Sequence, residues 1–210
     1  AAKDELLERL NKEPLFAPLR NSVEITTLNS WGNRRVRLRL QSPKLITEKH
    51  ELYFCMQNTL QPFWMKYPSV KAALTSNKRR NSVARDLMEL MDAFKALGYR
   101  HDLHKKKEDF LAHSEWLVNG GMNASAYEGL EKLCKYEIIG DDYEYPKSFE
   151  QIYKNYFGFW RESTEWLYKS STITLEDQKY WALIDVEKGV NEGRFTSGIH
   201  RYQHILVDEF

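Results

Sequence analysis

Apolar residues recur along this chain in three successive rhythms. Over residues 1–11, Leu6, Leu7 and Leu10 share one face of a helix, with charges opposite. Pro14 and Pro18 then stop that helix and force an extended connection. Residues 23–28 (VEITTL) alternate in polarity and are β-branched, which predicts a short strand. Asn29-Ser30 follows as a helix N-cap, and 31–40 as a helix or an extended basic segment. Helix, strand, helix is the order found in α/β sheets.

The rhythm then changes. Helical spacing is predicted over 48–65, 82–97, 105–119, 125–136, 148–168 and 175–188. Within the first of these, Leu52-Tyr53-Phe54-Cys55-Met56 is apolar enough to read equally as a buried strand. Gly98, Gly120-Gly121, Gly140-Asp141-Asp142 and Pro146 fall where connections are expected. There is no internal repeat and no low-complexity tract, so this block reads as an all-helical insertion. At the end, Gly189, Gly193 and Gly198 mark a loop-rich passage. His204-Ile205-Leu206-Val207 then runs apolar without alternation, as a central parallel strand buried on both faces does.

Composition narrows the class. With 31 Lys+Arg against 30 Asp+Glu the net charge is +1, which excludes a uniformly basic binder but leaves local basic faces open. The 42% hydrophobic content, rich in Trp, Tyr and Phe, supplies ample apolar surface to offset ordering entropy, so disorder is not expected. Cys55 and Cys134 are too few for a disulfide framework or a four-ligand zinc site. No run of eighteen apolar residues occurs and the N-terminus has no targeting pattern, so no membrane span and a cytoplasmic location are expected. The chain lacks an initial Met and ends abruptly on Phe210, so both ends read as cut from something longer.

The candidate chemistry sits at that abrupt end. Asp208 and Glu209 at the end of an apolar parallel strand supply hard oxygen ligands at a sheet edge where α/β folds bind ligands. The phrase Tyr202-Gln203-His204-Ile205-Leu206-Val207-Asp208-Glu209-Phe210 resembles motif II of the UvrD/Rep-like superfamily-1 DNA helicases. Two further phrases match in order. Residues 1–10 (AAKDELLERL) look like the helix after motif Ia, and Ile25-Thr26-Thr27-Leu28-Asn29-Ser30-Trp31 is similar to motif Ib, with Leu28 and Asn29 in place of its usual Phe and His.

The resemblance implies a mainly α chain in which a helical 1B-type subdomain (residues 42–190) is inserted into a partial parallel α/β sheet of RecA-like, P-loop NTPase type. Residues 1–41 and 191–210 are then parts of domain 1A. It implies an ATP-dependent DNA helicase, a 3′→5′ translocase on single-stranded DNA, with ATP and Mg²⁺ as nucleotide and metal. Asp208 is implied as the Mg²⁺ ligand and Glu209 as the water-orienting base, with the rest of the helicase chain and DNA as partners. There is no Gly-x-x-x-x-Gly-Lys-Thr, so these residues alone are not expected to hydrolyse ATP. The alternative is a stand-alone helical module that binds nucleic acid or protein without catalysis.

Local basic clusters extend the implied DNA contacts. Thr27, Asn29, Ser30 and Trp31 form the motif Ib-like group, Arg34 and Arg35 follow with Arg37 and Arg39, and Lys78, Arg79 and Arg80 open a helix. Arg100, Lys105, Lys106 and Lys107 form a further cluster. Tyr153, Tyr156, Phe157 and Trp160 recur at helical spacing and are predicted as core rather than as a stacking surface. His101-Asp102-Leu103-His104 and Asp141-Asp142 with Glu144 lack the ligand number of a metal site and read as solvated turns.

Overall fold

A 3.6-residue apolar period dominates the chain. The computed structural model, which describes residues 2–19, 24–75, 80–117, 119, 137–139, 142–144 and 149–192, is accordingly mainly helical. Helix α1 (Ala2–Lys12) places Asp4 and Glu5 in its first turn and Arg9 and Lys12 in its last, the polarity its dipole favours. Ion pairs Arg9–Glu5 and Lys12–Glu8 brace its exposed face. A 3-10 turn, Pro14–Leu19, follows.

Helix α2 (Leu28–Arg37) begins earlier than the sequence predicts. Thr27, not Asn29 or Ser30, is the N-cap: its Oγ1 accepts the Ser30 amide at 3.1 Å. Thr27 is itself extended, as an N-cap is, so the strand predicted over 23–28 does not continue past it. Residues 24–27 pair with no strand among the described residues, and Leu28 is already helical.

Helix α3 (Lys49–Phe54) runs straight into a π turn (Cys55–Thr59), which decides the helix-or-strand ambiguity at 52–56 for helix. The extra residue of that turn disturbs the usual bonding pattern, and the buried Trp64 indole meets the Met56 carbonyl at 2.8 Å. Short α4 (Gln61–Trp64) and α5 (Pro68–Thr75) come next, the latter with Pro68 at its first position, where its missing N–H is no loss. Helix α6 (Arg80–Ala96) ends where Gly98 is predicted to end it. Gly98 takes φ 78°, its amide bonds the Lys95 carbonyl, and the Tyr99 amide bonds the Phe94 carbonyl.

Helix α7 (Lys107–Trp116) and the antiparallel hairpin β2 (Glu137–Ile139) and β3 (Asp142–Glu144) follow. The helix predicted over 125–136 lies outside the described residues. Helix α8 (Phe149–Ile152), a second π turn (Tyr153–Phe157) and α9 (Gly158–Lys169) form one continuous rod, and α10 (Leu175–Asn191) closes the series.

Two-residue strands β1 (Lys44–Leu45) and β4 (Thr172–Ile173) pair in parallel, the one parallel ladder among the described residues. A RecA-like sheet is not part of what is described, and the predicted apolar strand at 204–207 lies outside it. The core is aromatic, as the Tyr153/Tyr156/Phe157/Trp160 stripe predicts. Phe94, Phe110, Phe157 and Trp160 are fully buried, and Tyr153 lies at the edge. Trp160 donates its indole N–H to the Met91 carbonyl at 3.0 Å, so its one polar atom is satisfied there. Among the described residues no helix is long and apolar enough to cross a membrane.

Candidate nucleic-acid interface

The motif Ib-like group is at the start of α2. Thr27, Asn29 and Ser30 are exposed there, and Trp31 is half-buried. The Thr27 hydroxyl also donates to Ser30 Oγ at 2.9 Å, which fixes both side chains at the helix entrance. The positive end of the helix dipole favours an anion at this entrance, where Thr27 Oγ1 already occupies the Ser30 amide.

The arginines behind that entrance behave differently from expectation. Arg34 pairs with Glu24. Arg35 is only 8% exposed, and its guanidinium reaches Asp185 Oδ2 at 2.5 Å. Arg39 grips the other oxygen of the same carboxylate at 2.6 Å, and Arg37 bonds Asn33 at 3.1 Å. Arg35 therefore ties α2 to α10 inside the molecule, where Asp185 compensates the desolvation of its buried guanidinium, rather than standing exposed as a surface contact.

Helix α2 can approach α10 so closely because residue 32 is glycine. A methyl group there would lie 2.7 Å from the Gln178 carbonyl carbon and 3.2 Å from the Lys179 nitrogen.

Lys78 and Arg79 lie outside the described residues. Arg80 opens α6, and its side chain is likewise outside them. Asp208 and Glu209 also lie outside them.

The cluster at 100–107 divides sharply. Arg100 is buried, bonds Asp102 through two nitrogens at 3.0 Å, and pairs with Glu187. Lys107 pairs with Glu150 at 2.8 Å. Lys105 and Lys106 are exposed, and no ion pair joins either to a carboxylate among the described residues.

The His101–His104 segment is a turn, but it is not the solvated one the sequence suggests. His101 Nδ1 lies 2.8 Å from the Tyr180 hydroxyl, which also accepts the His101 amide at 2.9 Å. Burial pushes the His101 imidazole down to about 4, against the opposing pull of Asp102. His104 is also pushed down to about 4, first by burial and then by the neighbouring His113. Its Nδ1 accepts the Arg100 amide at 3.0 Å, which requires an unprotonated nitrogen. Of the Asp141-Asp142-Glu144 group, Asp142 and Glu144 belong to β3 and Asp141 lies outside the described residues. Among the described residues no three His, Cys, Asp or Glu side chains gather as a metal site would require.

A buried ion network anchors the far side of α10. The Lys95 side chain is 1% exposed, with its ammonium 3.0 Å from Asp92 and 2.9 Å from Asp177. Burial alone lowers the Lys95 pKa, but the two carboxylates outweigh it and hold the pKa above the ordinary lysine value. Asp177 also accepts the Thr174 amide at 2.8 Å, and Thr174 returns the favour as N-cap of α10.

One group escaped sequence analysis altogether: the rings of His104, His113 and Trp116 lie in series. His113 and Trp116 stand three apart on α7, a spacing that brings their side chains onto one face, but their link to His104 depends on tertiary folding. Comparison with protein-family models, with curated proteins and with solved structures gave no match to this chain.

Proposed function

We propose that the chain is a slice of an ATP-dependent UvrD/Rep-like DNA helicase, carrying part of the motor domain and a helical insertion. One observation carries this: the phrase at 202–210 follows the phrases at 1–10 and 25–31 in the family's order, with a helical block between. The helical lobe, with its own aromatic core, supports the reading, as do exposed Thr27, Asn29 and Ser30 at the entrance of α2. In this reading Asp208 offers Mg²⁺ a hard carboxylate oxygen and Glu209 orients the attacking water of ATP hydrolysis. A bound Mg²⁺ neutralises charge developing on the phosphates. Thr27, Asn29 and Ser30 meet the backbone of single-stranded DNA, which is moved 3′→5′. The phosphate-cradling loop must then come from sequence beyond these 210 residues.

The test is the intact reading frame and its ATP turnover. A Gly-Lys-Thr loop upstream and Gln-Asp directly after Phe210 are expected. In that protein Glu209→Gln should abolish DNA-stimulated ATP hydrolysis while nucleotide still binds. Normal turnover in the variant, or a frame with no such loop, overturns the proposal.

The second reading, a helical binding module without catalysis, is favoured by the internal neutralisation of Arg34, Arg35 and Arg39. An intact frame without nucleotide-binding motifs would select it.

A further inference from the structure

The rings of Trp116, His113 and His104 form a stair from the surface into the aromatic core. Trp116, the last residue of α7, is 59% exposed, and its ring lies 5.5 Å from that of His113 with 31° between planes. His113 lies 4.6 Å from His104, again at 31°, and Tyr99 backs both rings, 4.7 Å from His113. Hydrogen bonds fix every step below the tryptophan. His113 Nε2 lies 3.0 Å from the Leu97 carbonyl, His104 Nδ1 accepts the Arg100 amide at 3.0 Å, and the Tyr99 hydroxyl meets Ser114 Oγ at 2.7 Å. An indole seated on so fixed a shelf loses little further freedom when a flat partner lands on it.

Charge next to the stair narrows the partner. His104 continues directly into Lys105 and Lys106, exposed and without an ion pair to the described carboxylates. A second exposed tryptophan, Trp166, offers the contrast: it packs on Phe63 at 5.4 Å, but the neighbouring cation Lys66 is neutralised by Glu162 at 3.0 Å. From the start of α7 to Trp116 the helix rises about 13 Å. A neutral ring on a rigid support, with lysines that pair with no carboxylate among the described residues, matches the base and phosphate of a single strand, and no base-pair edge is needed.

We propose that Trp116, resting on His113 and His104, is a stacking platform for the bases of single-stranded nucleic acid, with Lys105 and Lys106 holding its phosphates. The choice of DNA as that strand rests on the helicase reading above; the platform itself rests on the rings and the charges. His104, held down to about 4 chiefly by burial, keeps its step uncharged at neutral pH.

The test uses the 210-residue chain, without ATP, and a dye-labelled oligo(dT) followed by fluorescence anisotropy. Trp116→Ala should weaken binding about tenfold or more, as loss of one stacked base does, and Trp116→Phe should recover much of it. Lys105→Gln with Lys106→Gln should lower the slope of log K against log salt by about 1.4, at ~0.7 per phosphate contact. Trp166→Ala should leave binding unchanged. The proposal is overturned if the folded chain does not bind the oligonucleotide at low salt, or if Trp116→Ala binds it as tightly as the parent. It is equally overturned if a blunt duplex binds as well as the single strand, or if Trp116→Ala instead dissolves a self-associated species in sedimentation. Failure here leaves ATP turnover at Glu209 untouched, and failure at Glu209 leaves oligonucleotide binding untouched, so the two readings fail separately.

Discussion

Replacing Gly32 with alanine pits two local effects against each other, and the packing of α2 on α10 decides between them. Glycine inside a helix costs about 1 kcal/mol relative to alanine, so propensity alone makes Gly32→Ala stabilising. The new methyl, however, would lie 2.7 Å from the Gln178 carbonyl carbon and 3.2 Å from the Lys179 nitrogen, inside ordinary contact. Both obstacles are main-chain atoms of α10, held by that helix's own hydrogen bonds, so no rotamer change relieves them. Helix α2 must retreat instead, and overpacking of this kind costs about 1–3 kcal/mol. A retreat also stretches the Arg35–Asp185 contact of 2.5 Å and the Arg39–Asp185 contact of 2.6 Å. Taking the upper part of that range and subtracting the propensity gain leaves a net loss of about 2 kcal/mol. Urea unfolding followed by circular dichroism should show it as a midpoint lowered by about 1 M, for a slope of about 2 kcal/mol per molar. Gly158→Ala is the companion, since its methyl meets only the side chain of Tyr67, which can move, and a smaller loss is expected. A Gly32→Ala midpoint above that of the parent would refute the close approach of the two helices.

Two other perturbations probe the buried charges. Lys95→Met leaves Asp92 and Asp177 facing one another without their cation and should cost about 3–5 kcal/mol in the same urea assay. Asp177→Asn keeps an acceptor for the Thr174 amide, so adding it to Lys95→Met should recover part of the loss; strict additivity would argue against the network. For His101 and His104 the folded pKa lies below the unfolded one, so the unfolded chain binds more protons as pH falls. Their contribution is present above the unfolded value of 6.5 and is lost progressively as pH falls toward about 4. His104→Asn, whose amide oxygen can accept the Arg100 amide, should flatten stability against pH in that window, and an unchanged profile would refute the assignment.

Much of the helical lobe was legible because its signals are local. The 82–97 and 175–188 periodicities appear as α6 and α10, Gly98 stops α6 with positive φ, and the Tyr153–Trp160 stripe enters the core. What stayed hidden is long-range. Two-residue strands such as β1 and β4 carry no period, and their pairing joins segments far apart in sequence. Residues 24–27 lead into α2 without a ladder among the described residues, and Thr27 caps the helix that Leu28 opens. The site fared less evenly. Exposure of Thr27, Asn29 and Ser30 agrees with a contact role, but nothing in an Arg-rich stretch tells which arginine meets an aspartate 150 residues away, as Arg35 does. Half-burial of His101 and His104 depends on Tyr180, Trp181 and His113, and spacing alone does not reveal those neighbours.

The contacts between α2 and α10 also bear on the order in which the chain acquires its structure. Gly32 faces Gln178 and Arg35 faces Asp185, so the contacts advance together and the two helices run in the same direction. β1 likewise finds its partner only at Thr172 and Ile173. As the polypeptide leaves the ribosome at about 5–20 residues per second, residues 28–45 emerge before the segments that complete them and must wait roughly 6–30 seconds for those. The intervening helices have nearer partners and can collapse first. Closure of the lobe is thus a late event, in which α10 captures α2, a helix made well before it.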